Sequence, residues 1–174
     1  MDSTLVNVRG FSLEPDWSRE VRVPGEWKPW FGVLCALRDY QRLAGRKGAI
    51  VSLRRGWAVV RHRFWSAVSG ADIPLNAMHL GGGLMIPHPN GVVIHPRAVL
   101  GPNVLVFQQV TIGGGGPIPG VPTIGARVSI GAGAKILGGV IVGDGAVIGA
   151  NAVVIDNVPA GATAVGIPAR IVKG

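Results

Sequence analysis

The chain has 174 residues, a formal net charge of +8, 28 Gly and a single cysteine, Cys35. Charged residues make up 15% against a typical ~25%, and hydrophobic residues 48%, which excludes a disordered chain and points to a tightly turned β architecture with a real core. One cysteine excludes an internal disulfide, no apolar run approaches the ~20 residues of a membrane span, and MDSTLVNVRGFSLEPDW lacks the basic and apolar regions of a signal peptide, so a cytoplasmic protein is expected.

Charge and aromatic content divide the chain near Ser69-Gly70, predicting an N-terminal segment over 1–70 and a repeat domain over 71–174. The first part holds 12 of the 17 Lys+Arg, 6 of the 9 Asp+Glu and all five Trp. Residues 1–30 show no assignable pattern. GVLCALRDYQRLA predicts a short helix over 32–44, stopped at Gly45. From 48 to 68, Ile50, Leu53, Trp57, Val60, Phe64 and Val68 recur at spacings of three and four, which predicts an amphipathic helix. Arg54, Arg55, Arg61, His62 and Arg63 mostly avoid that stripe, and seven bases with no acid run from Arg42 to Arg63. Two roles are open for these helices: capping an exposed end of the repeat scaffold, or lying as a peripheral contact on the anionic inner face of a membrane. Charge alone would also allow nucleic acid, but no recognised motif supports it and none is expected to bind.

The second part has a period of six. Ile94, Leu100, Val106 and Ile112, then Ile124, Ile130, Ile136, Val142, Ile148 and Val154, fall six residues apart with one gap at 118. Gly follows at 101, 113, 125, 131, 143 and 149, read here as relief for a sharp turn. Four residues after the aliphatics stand small or β-branched residues such as Ala98, Val104, Val110, Val128 and Ala134. Neither helix nor strand alternation sustains this period; a parallel β-helix does, with one strand and one turn per hexapeptide. The expected fold is therefore mainly β, a parallel β-helix preceded by a short basic α-helical segment. IGGGGPIPGVPT (112–123) loses the pattern while keeping phase by number, which predicts a loop leaving the prism.

The repeat [LIV]-G-x-x-[STAV]-x resembles that of the hexapeptide acyltransferases, and PHPNGVVI (87–94), FQQVTIGG (107–114), SIGAGAKILGGVIVGDGAVIGANAVV (129–154) and VGIPARIV (165–172) resemble the serine acetyltransferase branch. The resemblance implies a left-handed β-helix, a homotrimer with active sites between subunits, and acetyl-CoA as co-substrate without a metal. It implies His88 as general base and Asp72 as the carboxylate orienting it, although the intervening segment is one residue longer here. A neutral imidazole taking the proton of an attacking hydroxyl, held by a carboxylate on its other nitrogen, is sound chemistry for acyl transfer. Ala132 and Ala150 match small positions along the pantetheine arm, Arg170 and Lys173 match basic residues near the nucleotide phosphates, and Gly114 matches a turn near the thioester. His95, His79 and His62 are read as structural.

The chain also departs from that branch. Pro87 stands where Asp precedes the catalytic His, and the loop GGGGPIPGVPT carries no charged residue where an Arg-His pair holds the amino acid carboxylate. The reading is an acetyl-CoA-dependent O-acetyltransferase of the serine acetyltransferase type. The alternatives are a carbohydrate O-acetyltransferase of exopolysaccharide synthesis and, more remotely, a non-catalytic scaffold. A zinc site built from His79, His88 and His95 is not expected, since spacings of nine and seven do not suit a six-residue period.

Overall fold

The computed structural model describes residues 13–21, 27–77 and 79–172. Met78, Lys173, Gly174 and residues 1–12 and 22–26, the last two stretches without any assignment, lie outside the described residues. A 3-10 turn, Trp17–Glu20, precedes two helices, α1 (Pro29–Arg42) and α2 (Ala49–Ser69). Both helices fall within a few residues of their predicted bounds. Helix α1 starts earlier because Pro29 occupies its first turn, where a fixed φ and a missing N–H carry no penalty. Helix α2 ends at Gly70, which adopts φ 69° and donates its N–H to Ser66 O at 2.9 Å.

Twelve short strands follow, from β1 (Val93–Ile94) through β4 (Thr111–Gly113), β7 (Lys135–Leu137) and β10 (Val153–Val154) to β12 (Arg170–Val172). They form three faces. β1, β4, β7 and β10 make one; β2 (Val99–Leu100), β5 (Thr123–Ile124) and β8 (Ile141–Val142) a second. The third holds β3 (Leu105–Val106), β6 (Ser129–Ile130), β9 (Val147–Ile148), β11 (Thr163–Val165) and β12. Every pairing is parallel except β11 with β12, a final antiparallel hairpin. The predicted inward residues Ile94, Leu100, Val106, Ile112, Ile124, Ile130, Ile136, Val142, Ile148 and Val154 are all buried, as are the corner fillers Ala98, Val104, Val110, Val128 and Ala134. Stacking identical aliphatics coil over coil makes one continuous dry column, which is the dominant stabilising term here.

Coil spacing also locates the ejected loop. Val93 pairs with Thr111, a step of 18, whereas Thr111 pairs with Lys135, a step of 24. The extra hexapeptide lies between β4 and β5, and it folds back on the prism, where Gly139 N–H donates to Ile118 O at 2.8 Å.

Two readings need correction. Gly101, Gly125, Gly131 and Gly143 are not turn residues of positive φ; the left-handed positions fall two residues later, at Asn103, Arg127, Gly133 and Gly145. The four glycines are small because the next coil presses on them: a Cβ at Gly101 would lie 2.7 Å from Ala126 N, and one at Gly131 2.6 Å from Ala150 N. Gly101→Ala should therefore force two backbones apart and lower stability by about 1–3 kcal/mol. Thermal unfolding against a control Gly145→Ala, which has open space but an unfavourable φ of 65°, separates crowding from turn strain.

The second correction concerns α2. Ala58, His62 and Ser69 are its buried residues, and Trp65 packs so closely on Gly32 of α1 that any Cβ there would overlap the indole. The predicted apolar stripe faces away from the prism instead. The small residues Gly32 and Ala58 let the helices approach along the opposite side of α2. Capping falls mainly to α1, whose Trp30, Val33, Leu34 and Leu37 join the column of the β-helix as one core.

Candidate active site

Four turns stack along the edge between the β3 face and the β1 face. Asn90 O accepts Gln109 N–H at 2.9 Å, Gln108 O accepts Gly133 N–H at 2.8 Å, and Ala132 O accepts Asn151 N–H at 2.8 Å. One edge therefore carries His88, Phe107, Ala132 and Ala150 on successive coils. At ~4.8 Å per coil, His88 and Ala150 are about 14 Å apart along it. Parallel coils leave turn residues on the outside, which is why four positions far apart in sequence, His88, Phe107, Ala132 and Ala150, form one ledge.

His88 is exposed at the first of these turns, its ring stacked on Phe107 with centroids 6.5 Å apart and planes 24° apart. Among the described residues neither ring nitrogen has a hydrogen-bond partner. Such an imidazole is oriented by packing and open to solvent on both nitrogens, as a general base awaiting substrate would be. Asp72, also exposed, stands beside Val93 at the start of the adjoining face, where its N–H donates to Val92 O at 2.8 Å. No hydrogen bond joins its carboxylate to His88 among the described residues.

Behind Asp72, the buried ring of His62 on α2 donates from Nε2 to Ile73 O at 2.8 Å. Burial holds the His62 pKa below the ordinary histidine value, against the pull of the Ile73 carbonyl and the Asp72 charge, which favour the proton. The folded chain thus resists a proton that the unfolded chain accepts. Both states are neutral at this position above about pH 6.5, and stability falls as pH drops below it. Thermal unfolding from about pH 7 to 5 should decline more steeply for the natural chain than for His62→Gln, which keeps a donor for Ile73 O without a titrating group.

The other expected positions divide. Ala132 and Ala150 share the His88 edge, the first half-buried and the second exposed. Arg170 lies in β12, exposed; its Nη1 donates to Ala169 O at 3.1 Å and stands 3.6 Å from the equally exposed Asp156, which leaves the rest of the guanidinium available to an anion. Gly114 is exposed at the opposite edge of the β1–β4–β7–β10 face, away from His88. Lys173 lies outside the described residues. Phe107 and Gln108 were not among the expected residues, although both stand in the FQQV stretch. Gln108 has a buried side-chain oxygen without a hydrogen-bond partner, directly on the ledge between His88 and Ala132. His95 serves its own turn, its Nδ1 accepting Arg97 N–H at 3.1 Å. Among the described residues no group of three His, Cys, Asp or Glu side chains could hold a metal ion.

The comparisons agree with this architecture. Residues 122–156 match the family model described as bacterial transferase hexapeptide (six repeats). Serine acetyltransferase 5 of Arabidopsis thaliana is 45% identical over 123 residues, covering 70% of this chain and 39% of the relative. The serine acetyltransferase of Mycobacterium tuberculosis is 43% identical over 111 residues, 63% of this chain and 48% of the relative. Soybean serine acetyltransferase in its apoenzyme form superposes with a TM-score of 0.69 at 40% identity, over 83% of this chain and 57% of that one. The Brucella abortus enzyme in complex with coenzyme A has a TM-score of 0.69 at 35% identity, over 84% and 56%. The chain spans less than half the length of these two curated relatives.

The coils form the left-handed β-helix of these solved structures, and residues 122–156 carry the hexapeptide repeat. Over 83–84% of its length the chain is similar to serine acetyltransferases of known structure.

Proposed function

We propose that the protein is an acetyl-CoA-dependent O-acetyltransferase of the serine acetyltransferase type. The single observation carrying this is the edge on which an unpartnered His88 shares one line of turns with Ala132 and Ala150. In the reaction, His88 accepts the proton as the acceptor hydroxyl attacks the thioester carbonyl, and returns it to the departing CoA thiolate. Asp72, on the adjoining face, is the candidate carboxylate for orienting the imidazole once substrate is bound. Backbone groups at Ala132 and Ala150 admit an extended thiol arm because only a methyl group projects from each, and Arg170 offers a counter-charge to phosphate. Cys35 has no part in the step, so the acetyl group passes directly to the acceptor.

A homotrimer belongs to the same reading. His88 and Gly114 occupy opposite edges of one face, and a threefold assembly brings such edges of neighbouring subunits together. The reading places the enzyme in the cytoplasm, with α2 as a peripheral contact to the inner face of the membrane. No helix among the described residues is long and apolar enough to cross it.

Serine is the favoured acceptor, because the relatives named above are serine acetyltransferases. One observation favours a second reading: residues 113–122 hold no charge to neutralise a zwitterion, which suits a neutral carbohydrate hydroxyl. Free-thiol release from acetyl-CoA, compared between L-serine and neutral oligosaccharides, decides between them. Higher kcat/KM with serine supports the first reading, and turnover confined to a carbohydrate supports exopolysaccharide acetylation.

A further inference from the structure

The apolar stripe of α2 lies open along the helix. Ile50, Leu53, Trp57, Val60, Phe64 and Val68 are 43–75% exposed, although the same helix buries Ala58, His62 and Ser69 on its other side. Six large apolar side chains in one line are far more than the scattered surface hydrophobics of an ordinary domain. Beside the stripe, between α1 and α2, runs a groove of about 580 Å³ in which Leu53 and Trp57 form the apolar side and Arg42, Arg46, Arg54 and Arg61 the charged side. Asp39 is the one acid lining it, paired with Arg61 at 2.8 Å and Arg42 at 3.6 Å. Arg46 and Arg54 are exposed in the same groove.

Charge decides the occupant. A second copy packed stripe to stripe would bring Arg54, Arg61 and Arg63 against their own copies, and α2 contains no acid to neutralise them. An anionic bilayer complements both features at once: apolar side chains enter the acyl boundary while flanking guanidinium groups meet phosphates. Arginine suits this role because its planar fork engages two phosphate oxygens.

We propose that α2 lies along an anionic bilayer surface, with its apolar stripe at the acyl boundary and the arginines of the α1–α2 groove on lipid phosphates. The inference deepens the functional reading by naming the surface of contact. Vesicle binding is read without turnover, so either can fail alone.

The test is sedimentation of the full chain with vesicles of equal parts phosphatidylcholine and phosphatidylglycerol, against phosphatidylcholine alone. The natural chain should pellet with the mixed vesicles. Leu53→Ser/Trp57→Ser/Phe64→Ser should not, and Arg46→Gln/Arg54→Gln should partition less, by about five-fold per arginine removed. All of these positions are exposed, and circular dichroism with acetyl-CoA turnover in solution checks that both variants remain folded. Absence of binding to mixed vesicles overturns the proposal, as does equal binding by the triple variant. A particle mass by light scattering that falls in the triple variant, with no vesicle binding by the natural chain, would instead assign the stripe to a second copy.

Discussion

His88→Ala is expected to lower acetyl transfer by roughly 10²–10⁴-fold, the range general-base catalysis contributes, without lowering the unfolding temperature. The side chain is exposed and has no hydrogen-bond partner among the described residues, so its loss leaves neither a cavity nor an unpaired buried group. Among the described residues the ring contact forfeited is the stack on Phe107. The KM for acetyl-CoA should change little, because the imidazole acts on the acceptor proton and not on the coenzyme. A fall in kcat with unchanged KM separates this from damage to the coenzyme ledge.

Arg38→Ala is the expected large effect on stability. The Arg38 and Glu20 side chains are only 11% and 8% exposed, and two bonds join them, Nε to Oε2 at 3.1 Å and Nη2 to Oε1 at 2.9 Å. The same guanidinium donates to Leu80 O at 2.7 Å and Gly81 O at 2.6 Å, and lies 5.6 Å from the Trp17 ring centroid. Leu80 and Gly81 belong to the first coil, which has no coil above it to take those carbonyls. Glu20 in turn accepts Leu84 N–H at 3.1 Å. One arginine on α1 therefore closes the exposed end of the β-helix, which would otherwise present unpaired backbone. Truncation leaves a buried carboxylate with no counter-charge, held only by the Leu84 N–H, and takes the donor from two carbonyls, a loss of about 3–5 kcal/mol. At this chain length that is a fall in unfolding temperature of roughly 10 °C. Removing Glu20 as well should recover part of the loss, since the uncompensated charge is the larger component. If Arg38→Ala unfolds at the natural temperature, the capping account of α1 is wrong.

The β-helix was legible because its signal is repeated. Each coil needs an inward aliphatic at the same place, so ten residues from Ile94 to Val154 vote for one period and one alone would have said little. The role of the glycines was not legible. Gly101 and Gly131 look like turn formers in a hexapeptide, and only the neighbouring coil, 2.6–2.7 Å from a Cβ that is absent, shows them to be sites of close approach. The orientation of α2 was hidden for a related reason. Periodicity identifies an apolar stripe but not its partner. Here Gly32 and Ala58 offered a closer fit on the opposite side. At the site, His88 was visible through its motif, whereas its shared edge with Phe107, Gln108, Ala132 and Ala150 depends on coil steps of 18 and 24 residues. One extra hexapeptide within residues 113–122 supplies that difference, and it kept the sequence in phase while leaving the prism.

The most direct measurement follows acetyl-CoA with the full chain and L-serine, counting free thiol released and identifying the acetylated product by mass spectrometry, with His88→Ala in parallel. One O-acetyl ester is expected per thiol released, with near-complete loss of both in the variant. Thiol release without an acetylated acceptor, or equal turnover by His88→Ala, would contradict it.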